Sequence, residues 1–145
     1  MTQGIDVTVY PVSDLAQAKT LFHTLLGVDP YADQPYYVGF RAGGQEIGLD
    51  PYGHSKGITG PIVYVSVSNI QSSLNQLLQR LAEVLSHIHL ALGERIWANL
   101  GSIFPSTAIE TGAQPVQPVQ DVGGGKLIAS VKDSDGNNIG LIQNP

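Results

Sequence analysis

Cysteine is absent from this chain of 145 residues. Disulfides, thiolate nucleophiles and cysteine-ligated zinc or iron–sulfur centres are thereby excluded. Charge is scarce, at 13 % of residues against 42 % hydrophobic, so the chain is too apolar to be disordered and has the material for a core. Basic residues are scarcer still: seven Lys+Arg stand against twelve Asp+Glu, a formal charge of −5, without the stripe that nucleic acid binding needs. A long uninterrupted apolar run is also missing. The most apolar window, Leu81 to Leu100, is broken by Glu83, His87, His89, Glu94 and Arg95, so no membrane partner is expected. The first residues, Met1 to Asp6, carry no basic segment of the kind that opens a secretory leader, and a cytoplasmic location is the expectation. The length suits one domain spanning 1–145.

What is present is a repeat. Val7-Thr-Val-Tyr-Pro-Val-Ser-Asp-Leu15 aligns with Ile62-Val-Tyr-Val-Ser-Val-Ser-Asn-Ile70 at a constant offset of 55 residues. Gly44-Gln-Glu-Ile-Gly-Leu49 aligns with Gly136-Asn-Asn-Ile-Gly-Leu141 at an offset of 92. Each copy reads as a strand, a helix and three further strands. The pattern predicts strand 4–11, helix 14–26 closed by Gly27, and strands near 28–32, 36–42 and 45–50. It then predicts strand 61–67, a helix from 69, and strands near 114–119, 126–132 and 137–143. Ser13 and Ser68 are the expected helix N-caps, and Gln71 would complete a capping box with Ser68. The modules are 4–52 and 61–145, joined by a turn-rich linker at 53–60, and the larger second offset places an insertion at about 80–110.

Two β-α-β-β-β modules in tandem resemble the vicinal oxygen chelate superfamily of glyoxalases, bleomycin resistance proteins and extradiol dioxygenases. The resemblance rests on Val12-Ser-Asp-Leu15 before the first helix, the strands Tyr36-Tyr-Val-Gly-Phe-Arg41 and Gly60-Pro-Ile-Val-Tyr64, and Val131-Lys-Asp-Ser-Asp-Gly-Asn-Asn-Ile-Gly-Leu141. It covers nearly all of the chain outside the insertion. It implies an α+β fold in which paired modules form a cupped mixed β-sheet around a cavity, with an extended or extra helix inserted in module two and assembly as a homodimer.

Catalytic members of that superfamily place four His, Gln or Glu metal ligands on the first and last strands of each module. Those places match Val7, Gly48, Ile62 and Gly140 here. None has a side chain with a lone pair to donate, so no metal, no cofactor and no metal-dependent catalysis are expected. The remaining polar residues add no alternative ligand set. His23 reads as a helix-surface histidine and His54 as part of the linker, while His87 and His89 stand two apart on a predicted helix and point apart. Asp133-Ser-Asp-Gly-Asn137 is similar to a calcium loop, but Asn138 stands at the sixth position in place of glycine and Asn144 at the twelfth in place of glutamate, so it reads as a hairpin turn. Gly123-Gly-Gly125-Lys126 precedes a strand, so it reads as a turn and not as a phosphate loop. Glu46 and Asp50 share a strand face with Gly48, and Asp50 is the better candidate for a buried acid.

Aromatic residues offer apolar walls with polar tips: Tyr64 on the face of Ile62, with Tyr36 or Tyr37 and Phe40 from the neighbouring hairpin. The candidate pocket is therefore Val7, Tyr37, Phe40, Gly48, Asp50, Ile62, Tyr64 and Gly140. In the insertion, apolar residues recur at helical spacing from Leu74 to Ile96, a stripe too wide to stay in water. Leu85, Trp97, Ile103 and Phe104 are the candidate interface residues. The expected function is binding of a small, partly apolar molecule in the cup without chemistry. The alternatives are a metal-independent lyase or isomerase, and an interaction module built on the inserted helix.

Overall fold

A computed structural model describes residues 2–80, 114–133 and 135–145. The chain divides into two compact units, Met1–Ser66 and Val67–Pro145. The elements of the first are β1 (Thr2–Pro11), α1 (Leu15–Leu26), β2 (Ala32–Gln34), β3 (Tyr37–Ala42) and β4 (Gln45–Asp50), followed by β5 (Ile62–Val67), which ends at the boundary. Their strand order is β2-β3-β4-β1-β5. β3 and β4 pair antiparallel around the two-residue turn Gly43-Gly44, where both residues have positive φ (58° and 79°). That mirror-image turn matches the strand twist, and only glycine takes it without strain. β1 lies parallel to β4, with Val7 opposite Glu46 and Val9 opposite Gly48.

α1 begins one residue later than the serine reading predicts. Asp14 is the cap, its carboxylate accepting from the Gln17 N–H at 2.9 Å. In the second copy Asn69, not Ser68, accepts from the Ser72 N–H at 2.9 Å. The two caps keep the 55-residue offset, and an Asp or Asn side chain reaches the third N–H of the helix from this position as well as serine does. β2 also differs, starting at Ala32 where the sequence predicts 28–32. Pro30 has no N–H to give to a ladder, and pairing with β3 begins only where Tyr31 donates to the Gly39 carbonyl at 2.9 Å.

Strand alternation sorts the first sheet into two faces. Val38 and Phe40 of β3 and Leu49 of β4 are fully buried beneath α1, packed by Tyr10, Leu15, Ala18, Phe22 and Leu26. Burial of side chains of this size contributes about 1.5–3 kcal/mol each. The intervening residues, Tyr37, Gly39 and Arg41 of β3 with Glu46, Gly48 and Asp50 of β4, lie on the face away from the helix.

The second unit carries α2, described over 70–80, with β6 (Gln114–Asp121), β7 (Leu127–Lys132) and β8 (Asn138–Gln143). Its strands run in the order β8-β7-β6, all antiparallel. The register of β6 shifts twice around Gln117, next to Pro115 and Pro118, as expected of a strand whose prolines cannot donate. Ile70 and Leu74 of α2 meet Val67, Ala129, Val131 and Leu141 in a single core cluster. Of the stripe that begins at Leu74, that residue is buried, and Leu77 and Leu78 pack partly buried against the same cluster. The β7–β8 hairpin is tied by Asp133, whose carboxylate accepts from the N–H groups of Asp135 (2.9 Å) and Asn137 (2.8 Å) and from the Asn137 amide (2.9 Å). Those bonds, led by the Asn137 side chain, hold its carboxyl below the usual range. The motif is a turn, as its sequence predicts. Leu85, Trp97, Ile103 and Phe104, like His87 and His89, lie outside the described residues.

Candidate functional site

Gly39 and Gly48 face each other across the β3–β4 ladder, on the face away from α1. Each leaves a hollow, and a tyrosine ring fills it. A Cβ on Gly39 would come within 2.7 Å of the Tyr31 ring, and one on Gly48 within 2.6 Å of the Tyr37 hydroxyl oxygen. What a side chain at either position would meet is thus a tyrosine ring, and neither glycine is there for its own φ. The two rings converge on one carboxylate: Tyr31 and Tyr37 both donate to Oε1 of Glu46, the latter at 3.3 Å. Oε2 of the same group lies 3.6 Å from Nε of Arg41, whose guanidinium sits 4.1 Å above the Tyr31 ring centroid. The Glu46 side chain is only 15 % exposed, against 67 % for Arg41. A half-buried carboxylate with two phenol donors on one oxygen and a loosely held cation beyond the other is the most organised polar cluster among the described residues of this sheet.

Burial, followed by the hydrogen bond to Glu46, raises the Tyr31 hydroxyl to about 12. Burial, followed by the neighbouring Tyr31 and Glu46, raises Tyr37 further still. Tyr64 is pushed up to about 12 by burial and then by the charge of Asp50. All three phenols are neutral hydrogen-bond donors over the physiological range.

A raised tyrosine pKa means that the folded state holds the proton more tightly than the unfolded chain. The associated stability is fully present below pH 10 and is lost as pH rises through about 12. Tyr64 is 5 % exposed, and at 1.36 kcal/mol per pKa unit its share is about 2–3 kcal/mol. Urea unfolding at pH 9 and pH 12 is expected to show that loss in the wild type and a smaller one in Tyr64→Phe. Equal losses in both would place Tyr64 outside the titrating set.

The expected pocket residues fall into separate groups. Tyr37 and Gly48 lie in the cluster itself, and Val7 stands beside it, opposite Glu46. Ile62 and Tyr64 of β5 are buried in the same unit. Asp50 holds the turn that follows β4, accepting from the Tyr52 N–H at 2.8 Å and pairing with Lys56 at 3.2 Å, so it is a turn anchor instead of a free acid. Phe40 does not line this face. Strand alternation turns it under α1, where its ring stacks 6.4 Å from Phe22. Gly140 belongs to the second unit, opposite Ser130, which is fully buried. The Ser130 hydroxyl has no partner among the described residues.

Tyr31, Arg41 and Gly39 are the members that sequence reading did not select. A signal for the glycines exists, because Gly39 lies four residues before Gly43 and Gly48 four after Gly44, which makes them cross-strand partners in any two-residue hairpin. No spacing rule reaches Tyr31, which arrives from the loop before β2. His23 behaves as a helix-end residue, its Nδ1 lying 2.9 Å from the Val28 carbonyl and 3.6 Å from Asp29. It borders an open groove of about 300 Å³ with Lys19, Thr20, Asp29, Pro30 and Asp33, where Lys19 and Asp33 already pair at 2.8 Å.

The metal that superfamily enzymes hold does not fit these residues. Val7 and Ile62 have hydrocarbon side chains, and the space in front of Gly48 is taken by the Tyr37 phenol, a neutral donor with a raised pKa. Among the described residues no three His, Asp or Glu side chains converge as a cation site would require. No helix among them is long and apolar enough to cross a membrane.

No family model matches the chain by sequence, and neither does any curated protein. Solved structures match it along its length. A glyoxalase/bleomycin resistance protein/dioxygenase superfamily member from Vibrio splendidus 12B01 is similar with a TM-score of 0.56 at 14 % identity, covering 100 % of both chains. Methylmalonyl-CoA epimerase from Mycobacterium tuberculosis matches with 0.55 at 15 % identity, covering 99 % of this chain and 89 % of that one. A single-substitution variant of methylmalonyl-CoA epimerase from Streptomyces coelicolor, in complex with 2-nitronate-propionyl-CoA, matches with 0.59 at 9 % identity and 99 % coverage of each. The fold is that of the glyoxalase/bleomycin resistance/dioxygenase superfamily, the vicinal oxygen chelate fold.

Proposed function

We propose that this chain, with the vicinal oxygen chelate fold as its scaffold, binds a small and partly apolar molecule on the face of its first sheet that points away from α1. It does so as a homodimer, without a resident metal and without changing a bond in the ligand. The observation that carries the reading is the pair of glycines covered by tyrosines: Gly48, which the resemblance sets at a metal-ligand place, lies under a phenol that donates to Glu46. Two ring faces and one half-buried carboxylate make an apolar wall with a fixed polar point, the usual composition of a small-molecule site. One structural neighbour holds an organic ligand, 2-nitronate-propionyl-CoA, which supports the fold as a ligand scaffold.

Native mass spectrometry with elemental analysis of the same purified sample tests this directly. A metal-free dimer that shifts the amide resonances of Gly39 and Gly48 when titrated with benzamide is the expected result. Tyr37→Phe, which removes one donor to Glu46, is expected to weaken that binding several-fold, in line with about 1 kcal/mol for a neutral hydrogen bond. Stoichiometric, tightly held metal would overturn the reading and return the chain to the metalloenzymes.

A further inference from the structure

We propose that the ligand of the Tyr31–Tyr37–Glu46 site is an organic cation, an amidinium or alkylammonium carried on an apolar body, and that Arg41 is the chain's own stand-in for it. The inference deepens the binding reading above and rests on it.

Three observations point the same way. First, Arg41 already makes the contacts that such a ligand would make: its guanidinium lies 4.1 Å over the Tyr31 ring, within cation–π range. Second, the two oxygens of Glu46 are used unequally. Oε1 takes both phenol hydroxyls, whereas Oε2 faces the Arg41 Nε at 3.6 Å, beyond hydrogen-bond length. The carboxylate therefore keeps one oxygen open to a better-placed donor. Third, the two partners differ in how firmly they are held. Glu46 is 15 % exposed and clamped by two tyrosines, whereas Arg41 is 67 % exposed and meets the cluster through the ring face and that long ion pair.

A fixed anion beside an aromatic face, occupied by a loosely attached cation, is a cation site whose resident can leave. Arg41 stands at the end of β3 next to the Gly43-Gly44 turn and has solvent to swing into. The tyrosines stay neutral, so the single negative charge at the site remains on Glu46. The chain's net charge of −5 favours the approach of a cation as well.

Arg41 then competes with the ligand instead of holding it, which sets the sign of the test. Isotope-labelled full-length protein is titrated with benzamidinium, benzamide and benzoate, three probes of one shape and charges of +1, 0 and −1. The amide resonances of Gly39 and Gly48 report binding beneath the two rings. Benzamidinium is expected to bind about tenfold more tightly than benzamide, the scale of a charge-assisted contact, and benzoate most weakly. Arg41→Ala is expected to tighten benzamidinium three- to tenfold while changing benzamide by less than twofold. Glu46→Gln, which can still accept from the tyrosines through its amide oxygen, is expected to erase the preference for the cation. Weaker benzamidinium binding in Arg41→Ala, or a preference for benzoate, would overturn the cation proposal while leaving small-molecule binding intact. If none of the three probes shifts Gly39 or Gly48, the proposal and the binding reading fall together.

Discussion

Phe40→Ala is expected to destabilise the protein by about 3–5 kcal/mol, the range for truncating a fully buried phenylalanine. The ring has no solvent exposure and lies among Val38, Leu49 and the apolar side of α1, stacked on Phe22, which in turn meets the Tyr10 ring at 5.1 Å. The cavity would be walled by a sheet on one side and a helix on the other, both held by main-chain hydrogen bonds, and neither can collapse into it without loss of ladder or helix geometry. Domains of this size are stable by only about 5–15 kcal/mol, so the loss takes a large share of the whole. Urea unfolding at neutral pH measures it. The same substitution is expected to leave benzamide binding at the Gly39–Gly48 face nearly unchanged in whatever fraction remains folded. A loss below about 1 kcal/mol accompanied by weaker probe binding would return Phe40 to the ligand face, with the strand turned over.

Gly48→Ala is expected to cost about 1–3 kcal/mol and to abolish probe binding at this face. The new methyl carbon would sit 2.6 Å from the Tyr37 oxygen and 2.7 Å from its Cε2, far inside contact distance, and a phenol ring cannot bend to avoid it. The ring must leave its hollow, and with it goes the donor to Glu46. Against this stands the gain of about 0.5–1 kcal/mol from replacing glycine within a strand, which is too small to offset the overlap. Gly39→Ala is the internal control. Its overlap is similar at 2.7 Å, but Tyr31 is 46 % exposed and can swing outward, so a net change within about 1 kcal/mol is expected. A thermodynamic cycle separates the clash from other effects: with Tyr37→Ala already present, Gly48→Ala is expected to cost nothing further, giving a coupling of about 1–3 kcal/mol. Additive losses would show that Tyr37 does not occupy the hollow.

Much of the architecture was legible beforehand because it repeats local chemistry. The turn glycines, the helix starts to within one residue, and the Asp133 hairpin each act over a few residues, and the 55-residue offset carries through from sequence to the caps of both helices. The departures have local causes as well. Asp and Asn outcompete the preceding serines as caps, and Pro30 delays the start of β2.

The site divides differently. The sequence alone supplies the resemblance that sets Val7, Gly48, Ile62 and Gly140 where metal ligands would stand, and that none of these residue types has a metal-binding side chain follows from the residue type whatever the fold. It also determined that Glu46, Gly48 and Asp50 share a face, because strand alternation has a period of two. Applied to β3, the same period separates Phe40 from Tyr37, although their closeness in sequence had joined them. What fills the glycine hollows is a matter of three-dimensional packing. Tyr31 reaches Gly39 from a loop and Tyr37 reaches Gly48 from across the ladder, so that one carboxylate collects both hydroxyls. A glycine specifies room without specifying its occupant. The occupant is chosen by whichever ring the surrounding packing brings over it.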